Sequence, residues 1–563
     1  MKIFMIYLMN DKYANIWNSL TADTLIGDAQ GYLNYDLDYR IETIENANLI
    51  QPIIRKIEEY SPDILGISIP ADTLKIFEIF IKEYVRIHNR MNTLLVLGNI
   101  IPQSNIDYFA NNHYIKKIDY IIGLGHGEFV LRQLIDVVQK KIMLKDVNNI
   151  IYWDSKNEKI NKNPYFHYNI LSLKFPPCCD TVKENQVNMI QTSRGCYYNC
   201  SYCSQGPRNT WERLPLDRIF KNISDMFSKG VTKFEFIDED FLGGRFISSL
   251  NSADKIVDYL NEMNKKKRLS YRIFTNPCVI FQEKENKNAC TNENMENLLF
   301  KMKSSGLVRI YLGVESGSVT QRKRYNRKET LFEIETAFNI LNKYEFEIDA
   351  GFIMFDPLVT LEEIKDNIKY IKKIDLINAY AWPIHKIALT NNSPYTNMIK
   401  KEYNNIIDSY DYDLNIYNYK FKDPDIQMIY TIVDTIAKQT GRLFYEIKFF
   451  IKKHFIDEGK NNIQLAKMIS KQNATIYLNL LEGLTKYDEI YIEEIVCNVF
   501  NNLENLMTIV KNNLNEIDIS FSLYNAAEEN LKKLKSAICE SFTNLQELYK
   551  LCSIFNLNGV SSV

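Results

Sequence analysis

The sequence predicts an α/β protein in three parts: an N-terminal doubly wound (Rossmann-like) parallel sheet, a central partial (β/α)6 barrel, and a mostly helical C-terminal domain. Three observations predict it. Short apolar runs alternate with helical patterns through residues 1–145. The same strand–helix rhythm repeats over residues 185–390. From about residue 400 glycine and proline become sparse and amphipathic stretches such as 528–555 take over, so 391–563 reads as a helical cap or substrate-binding domain.

In the first part, KIFMIYL (2–8) soon turns polar and reads as a strand, not a signal sequence. PDILGIS (62–68), TLLVLGN (93–99) and IDYIIGLG (118–125) follow as further strands. A helix is expected from Asp72, with Ile76, Phe77, Phe80, Tyr84 and Ile87 on one face. Doubly wound sheets bind ligands beyond the carboxyl ends of their strands. That rule selects Ser68, Gly98 and the GLGHGE turn, Gly123 to Glu128, where Gly125 and Gly127 permit close backbone approach. Residues 146–184, with Pro164, Pro176 and Pro177, read as a polar connector.

In the second part, strands are expected at 187–193, 233–238, 270–275, 308–314, 348–354 and 377–383. One helix follows Pro215 and stops at Gly230; another opens with a capping box from Thr360 to Glu363. Such barrels carry their sites at the carboxyl ends of the strands. Directly after the first strand comes TSRGCYYNCSYCSQG, with Cys196, Cys200 and Cys203 spaced C-x3-C-x2-C. Three thiolates this close suit three corners of a [4Fe–4S] cubane and leave one iron open to a ligand. Structural zinc usually takes four ligands, and the nearest upstream histidine is His167. The remaining cysteines (178, 179, 278, 290, 497, 539, 552) form no dense disulfide framework, and scattered thiols point to a reducing cytoplasm.

Composition narrows the classes. Of 563 residues, 46% are hydrophobic and 25% charged, ordinary for a globular chain. A formal net charge of −2 gives no electrostatic footprint for nucleic acid. No apolar run approaches the roughly 18 residues of a membrane span.

The cysteine spacing and its setting resemble the radical S-adenosylmethionine (radical SAM) superfamily, and residues 1–145 resemble the cobalamin-binding domain that precedes many of its members. The resemblance implies a [4Fe–4S] cluster whose open iron chelates SAM, and an electron donor such as flavodoxin or ferredoxin. It also implies a 5′-deoxyadenosyl radical. By position in the motifs, Tyr202 corresponds to the adenine contact. Asp238 and Asp240, in the acidic run Asp238-Glu239-Asp240-Phe241, would accept from the SAM ammonium. Asn276 ends the third strand. Glu315 and Ser316, in GVESGS (313–318), would hold the ribose and methionine parts. Arg327 would take the carboxylate, with Arg322, Arg324 and Lys328 competing. GFIMFDP (351–357) lies toward the substrate, and the family's proline–glycine–threonine turn is replaced by Asn391 to Pro394. For cobalamin the matching positions are Ser68, Gly98, Gly125 and Gly127. Asn99 stands where a second glycine is usual, and NDKYANIW replaces the D-x-H-x-x-G motif. The implied reaction is cobalamin-dependent C-methylation of a small molecule or peptide. A cobalamin-independent radical reaction (dehydration, epimerisation, cyclisation or rearrangement) and a non-catalytic cluster protein are the alternatives.

Overall fold

The computed structural model describes the chain apart from residues 11–19, 34–36, 89, 185, 205–209, 285–289, 380–381, 455–460, 487–490, 540–541, 543 and 558–563. Most of NDKYANIW therefore lies outside the described residues. The N-terminal sheet has seven strands: β1 (Lys2–Leu8), β2 (Asp38–Ile44), β3 (Ile64–Ser68), β4 (Leu94–Gly98), β5 (Tyr120–Gly123), β6 (Ile150–Asp154) and β7 (Lys159–Lys162), ordered β2-β1-β3-β4-β5-β6-β7. The first five are parallel; β6 and β7 run antiparallel. Period-2 alternation covers both faces. Phe4, Ile6 and Leu8 pack toward the helix Leu74–His88, while Ile3 and Met5 pack toward the helices Leu20–Leu33 and Gly127–Val138.

The expected helix matches Leu74–His88, burying Phe77, Phe80, Ile81, Tyr84 and Ile87. Two features differ from expectation. β2 is a half-exposed edge strand, DYRIETI, whose mixed composition blurs the alternation. The stretch read as a connector contains the β6–β7 hairpin, which extends the sheet past residue 145. Trp153 fixes it, stacking on Tyr120 at 6.4 Å and donating from Nε1 to Lys116 O at 2.9 Å.

The central sheet consists of β8 (Asn188–Ile190), β11 (Lys233–Phe236), β12 (Ser270–Thr275), β13 (Leu307–Glu315) and β14 (Glu347–Phe352), all parallel in the order β14-β13-β12-β11-β8. A separate antiparallel pair, β9 (Ser193–Cys196) and β10 (Thr210–Arg213), frames the cysteine loop. The sixth expected strand is not formed among the described residues. Residues 377–379 make a turn, and the chain then follows β14 through Ala350 N to Ala379 O (2.8 Å) and Ile387 N to Phe355 O (2.8 Å). The partial barrel thus has five strands and an irregular sixth edge. Alternation separates its two sides. Ile310, Leu312 and Val314 join the buried core, while Arg309, Tyr311, Gly313 and Glu315 face the lumen.

Beyond the barrel, β15 (Leu389–Thr390), β16 (Ile407–Asp411) and β17 (Ile416–Tyr419) form a small antiparallel sheet. Only then come the helices Pro424–Lys453, Asn461–Thr485, Ile492–Asn512, Phe521–Cys539 and Leu545–Leu557. The turn between β16 and β17 reaches the N-terminal domain: Asp413 accepts from Leu74 N at 2.7 Å, and Tyr410 donates to Asn105 at 2.7 Å. Among the described residues no helix is long and apolar enough to cross a membrane.

Candidate active site

The cysteine loop leaves β9 and is pinned at its far side. Ser201 N donates to Tyr325 O (3.0 Å), Tyr395 N donates to Ser201 O (2.8 Å), and Asn326 Nδ2 donates to Asn199 O (2.7 Å). Gly195, at φ 85°, supplies the left-handed turn into Cys196. All three cysteines are free thiols; Cys200 is buried and the other two are half-buried. Burial, then Asp240 and the other two thiols, pushes Cys196 up to about 12. The sulfurs share one loop without being drawn to ligand spacing, since no group of three metal-ligating side chains is assembled among the described residues. Number, type and sheltered placement of the thiols fit the cubane set.

The acidic run divides into two holders and one free group. Asp238 accepts from Thr192 N (2.8 Å), from Ser193 N and from Ser193 Oγ (2.6 Å), so it locks the turn between β8 and β9. Asp240 accepts from Thr275 Oγ1 and Gly244 N, both at 2.8 Å. Burial raises both carboxyls, and donors oppose that shift. Both expected SAM contacts are therefore engaged as scaffold. Glu239 differs: its carboxylate accepts only from backbone, its own N–H and that of Gly195 beside the cysteines, and its buried Oε2 has no partner among the described residues. A buried acceptor left open costs about 1–3 kcal/mol, which marks it as a place for a ligand cation. The sequence offered three like carboxylates, and only the count of donors around each separates them.

The other positions sort similarly. Ser316 is fully buried, 2.6 Å from Gln321 Oε1 and 2.9 Å from Asn367 Oδ1, inside the loop's own network. Asn276 caps the short helix Pro277–Ile280, accepting from Cys278 N at 3.3 Å. Tyr202 and Glu315 do meet, phenol to carboxylate, with Glu315 at φ 68° at the end of β13. Burial raises Glu315; Arg327 and Tyr202 oppose it. Among the competing arginines, Arg322 bonds Val314 O (2.9 Å) and Arg324 pairs with Asp356 (2.9 Å) and Glu363 (2.7 Å). Asp356 is thereby a buried hub, also accepting from Tyr395 OH at 2.6 Å. Arg327 alone faces the cysteines, with Nη1 3.3 Å from Cys200 Sγ and its guanidinium paired to Glu329. At the altered turn, Ser393 caps the helix Pro394–Glu402 through Thr396 N (3.1 Å).

The N-terminal sheet presents its own edge. Its strand order reverses at β1 and β3, where open α/β sheets place their crevice. Ser68 ends β3 and accepts from Asn99 Nδ2 at 3.1 Å; Asn99 holds φ 79° where a glycine is usual. Beyond the Cα of Gly98 there is open space for 4 Å, a floor without a side chain. Gly125 and Gly127 serve packing, since an added Cβ would meet Tyr165 and Leu25 at 3.0 Å. Between them His126 Nδ1 accepts from Arg194 Nη1 at 2.9 Å, and Glu128 ion-pairs with Arg194 at 2.5 Å. Arg194 holds Glu128 down to about 2 against burial, and burial with Arg194 lowers His126 to about 4. The GLGHGE turn thus grips the residue two before Cys196, a junction that no motif announces.

Comparison with known proteins agrees with this geometry. The model of the Radical SAM superfamily matches residues 190–371. A curated relative, 4′-phospho-dehydrooxetanocin synthase of Priestia megaterium, is 27% identical over 372 residues, 62% of this chain and 48% of its own length. The chain thus matches about half the length of that relative. The solved structure of the cobalamin-dependent S-adenosylmethionine radical enzyme OxsB with aqua-cobalamin bound superposes with TM-score 0.76 over 94% of this chain and 83% of that one, at 20% identity. The radical S-adenosylmethionine methyltransferase TsrM of Kitasatospora setae superposes with TM-score 0.56 at 13% identity, over 73% of this chain and 78% of that one. The matched stretch, residues 190–371, holds all three clustered cysteines and is the part of the chain that is similar to the radical SAM superfamily.

Proposed function

We propose that the protein is a cobalamin-dependent radical SAM enzyme that modifies a small molecule. Cys196, Cys200 and Cys203 would hold the [4Fe–4S] cluster, which would supply the electron for reductive cleavage of SAM. The chain's own side chains bind and orient. The open oxygen of Glu239 accepts the SAM ammonium, and Tyr202 offers its ring to the adenine while its hydroxyl steadies Glu315. Arg327 brings positive charge to Cys200 and to an arriving carboxylate. Asp238, Asp240 and Ser316 keep the loops in register.

The observation that carries the cobalamin reading is the Glu128–Arg194 grip, which holds the ligand edge of the N-terminal sheet against the cysteine loop. The side-chain-free floor at Gly98 fits a flat macrocycle there. His126 at that edge is turned to Arg194. Cobalamin would supply a methyl group for C-methylation, as the methyltransferase TsrM favours; the "dehydro" in the name of the Priestia relative favours a second reading, radical oxidation without methyl gain. Ten free thiols support a reducing cytoplasm with a flavodoxin- or ferredoxin-type donor.

The test is anaerobic reconstitution with iron, sulfide and hydroxocobalamin, followed by assay of 5′-deoxyadenosine. One cobalamin per chain and SAM cleavage are expected. A correctly loaded cluster that leaves SAM intact sinks the enzyme reading; SAM cleavage without bound cobalamin sinks only the cobalamin part. Product mass then separates methyl gain from loss of two hydrogens.

A further inference from the structure

Ser201 stands between Cys200 and Cys203, and its three polar groups are all held. Its N–H donates to Tyr325 O at 3.0 Å, its carbonyl accepts from Tyr395 N at 2.8 Å, and its hydroxyl donates to Arg324 O at 2.8 Å. Those bonds use the backbone of three residues. The side chains of the same three converge on one carboxylate, Asp356. Tyr395 OH donates to its Oδ1 at 2.6 Å; Tyr325 OH and Arg324 Nη2 each donate to its Oδ2 at 2.9 Å. A further donor, Gln321 Nε2, reaches Oδ2 at 2.9 Å, and Gln321 Oε1 accepts from Ser316 Oγ at 2.6 Å. One carboxylate is therefore a common node of the cysteine loop and of GVESGS.

Asp356 is itself fixed by the barrel. It follows β14, where Phe355 N donates to His385 O at 3.1 Å and Ile387 N donates to Phe355 O at 2.8 Å. Its Oδ1 also accepts from Leu358 N at 2.9 Å. Asp356, Gln321, Tyr325 and Tyr395 are all buried, so water offers these donors no alternative. Hydrogen bonds to a charged acceptor are the strong ones, and a buried donor that loses its acceptor is costly. Charge balance alone does not call for Asp356, because Arg324 also pairs with Glu363 at 2.7 Å. What Asp356 adds is the two phenol bonds. The rings carry the connection onward: Tyr325 meets Tyr395 edge to face at 6.0 Å and Tyr202, the neighbour of Cys203, at 5.4 Å.

We propose that Asp356 is a positioning residue for the cluster: through Tyr325, Tyr395 and Arg324 it sets where Ser201, and with it Cys200 and Cys203, stand. This rests on the proposed enzyme reading and deepens it. For the test, the full chain is loaded anaerobically with iron and sulfide. Cluster loss to excess EDTA is followed by visible absorbance, and the electron paramagnetic resonance g values of the reduced cluster are recorded without SAM. Partners behind metal ligands govern metal affinity by roughly 10–100-fold, so Tyr325→Phe and Tyr395→Phe should each lose the cluster about tenfold faster than wild type, with shifted g values. Asp356→Asn should lose it at least as fast as either; if that variant misfolds, the two tyrosine variants decide. Tyr271→Phe is the control. It gives up an equally buried hydroxyl, 2.7 Å from Ser305 Oγ near the amino end of β12, and should keep the wild-type loss rate and g values. Loss at the wild-type rate in either tyrosine variant overturns the proposal. Faster loss with unchanged g values, or equal acceleration in Tyr271→Phe, also overturns it, as general loosening. A wild-type chain that takes up no cluster sinks the enzyme reading and the proposal with it; a loaded wild type whose tyrosine variants match Tyr271→Phe sinks the proposal alone.

Discussion

The two parallel sheets use the same rule in opposite ways. Both place a site beyond the carboxyl ends of their strands. At the central sheet that edge is dense with charge, and most of it is engaged: Asp238, Asp240 and Arg322 bond backbone and neighbours, leaving Glu239 and the Glu315–Arg327 face for a ligand. At the N-terminal sheet the edge is bare. Gly98 looks on open space, and the charged groups gather instead at the junction with the barrel. A reactive site is built from fixed dipoles and charges; a seat for a large ring is built from missing side chains.

That contrast can be broken at either edge. The largest effect is expected from Cys200→Ala: cluster absorbance and 5′-deoxyadenosine formation should both vanish, while circular dichroism reports an intact fold. Next comes the junction. Arg194→Met leaves the buried carboxylate of Glu128 without its close partner and should cost about 3–5 kcal/mol in denaturant unfolding, most of it recovered in the double variant with Glu128→Gln. If the single and double variants unfold alike, the grip contributes little. Glu239→Gln should weaken SAM binding about tenfold with cobalamin content unchanged, separating the two edges by titration. Gly98→Val is the converse: a β-branched residue suits a strand, so melting should hold while cobalamin content falls. The smallest effect is in acid. His126 sits below its unfolded value, at about 4, because burial disfavours its charged form and a proton there would also place a second cation beside Arg194. The unfolded chain therefore binds more protons between about pH 6.5 and 4, so stability is full above that window and declines as pH falls through it. Glu128, held at about 2, remains ionised there and adds its own loss only in stronger acid. His126→Gln should flatten the decline in a pH series of melting temperatures.

Legibility followed the range of the interactions. β1, β3, β4 and β5 announce themselves as short continuous apolar runs because the sheet is covered on both faces. β2, exposed at the sheet edge, and the β6–β7 hairpin, embedded among polar residues and prolines, do not. The cysteine loop is local and is read directly from its spacing. Choosing Glu239 over Asp238 and Asp240 requires knowing that Thr192, Ser193, Thr275 and Gly244 already serve the latter two. Ser201 is an ordinary loop serine until Arg324, Tyr325 and Tyr395 close around it. Contacts separated by a hundred residues or more leave no local trace.

The pinning of the cysteine loop also bears on how the protein is made. Synthesis runs from the N-terminus, so when Cys203 leaves the ribosome Glu128, the N-domain partner of Arg194, has already emerged, while Tyr325 and Tyr395 have not been translated. The loop hangs from one side for nearly two hundred further residues of elongation. Iron delivered in that interval would meet three thiols on a loop held at Arg194 but not yet at Ser201, and the full pinning of the loop is complete only once residue 395 has emerged.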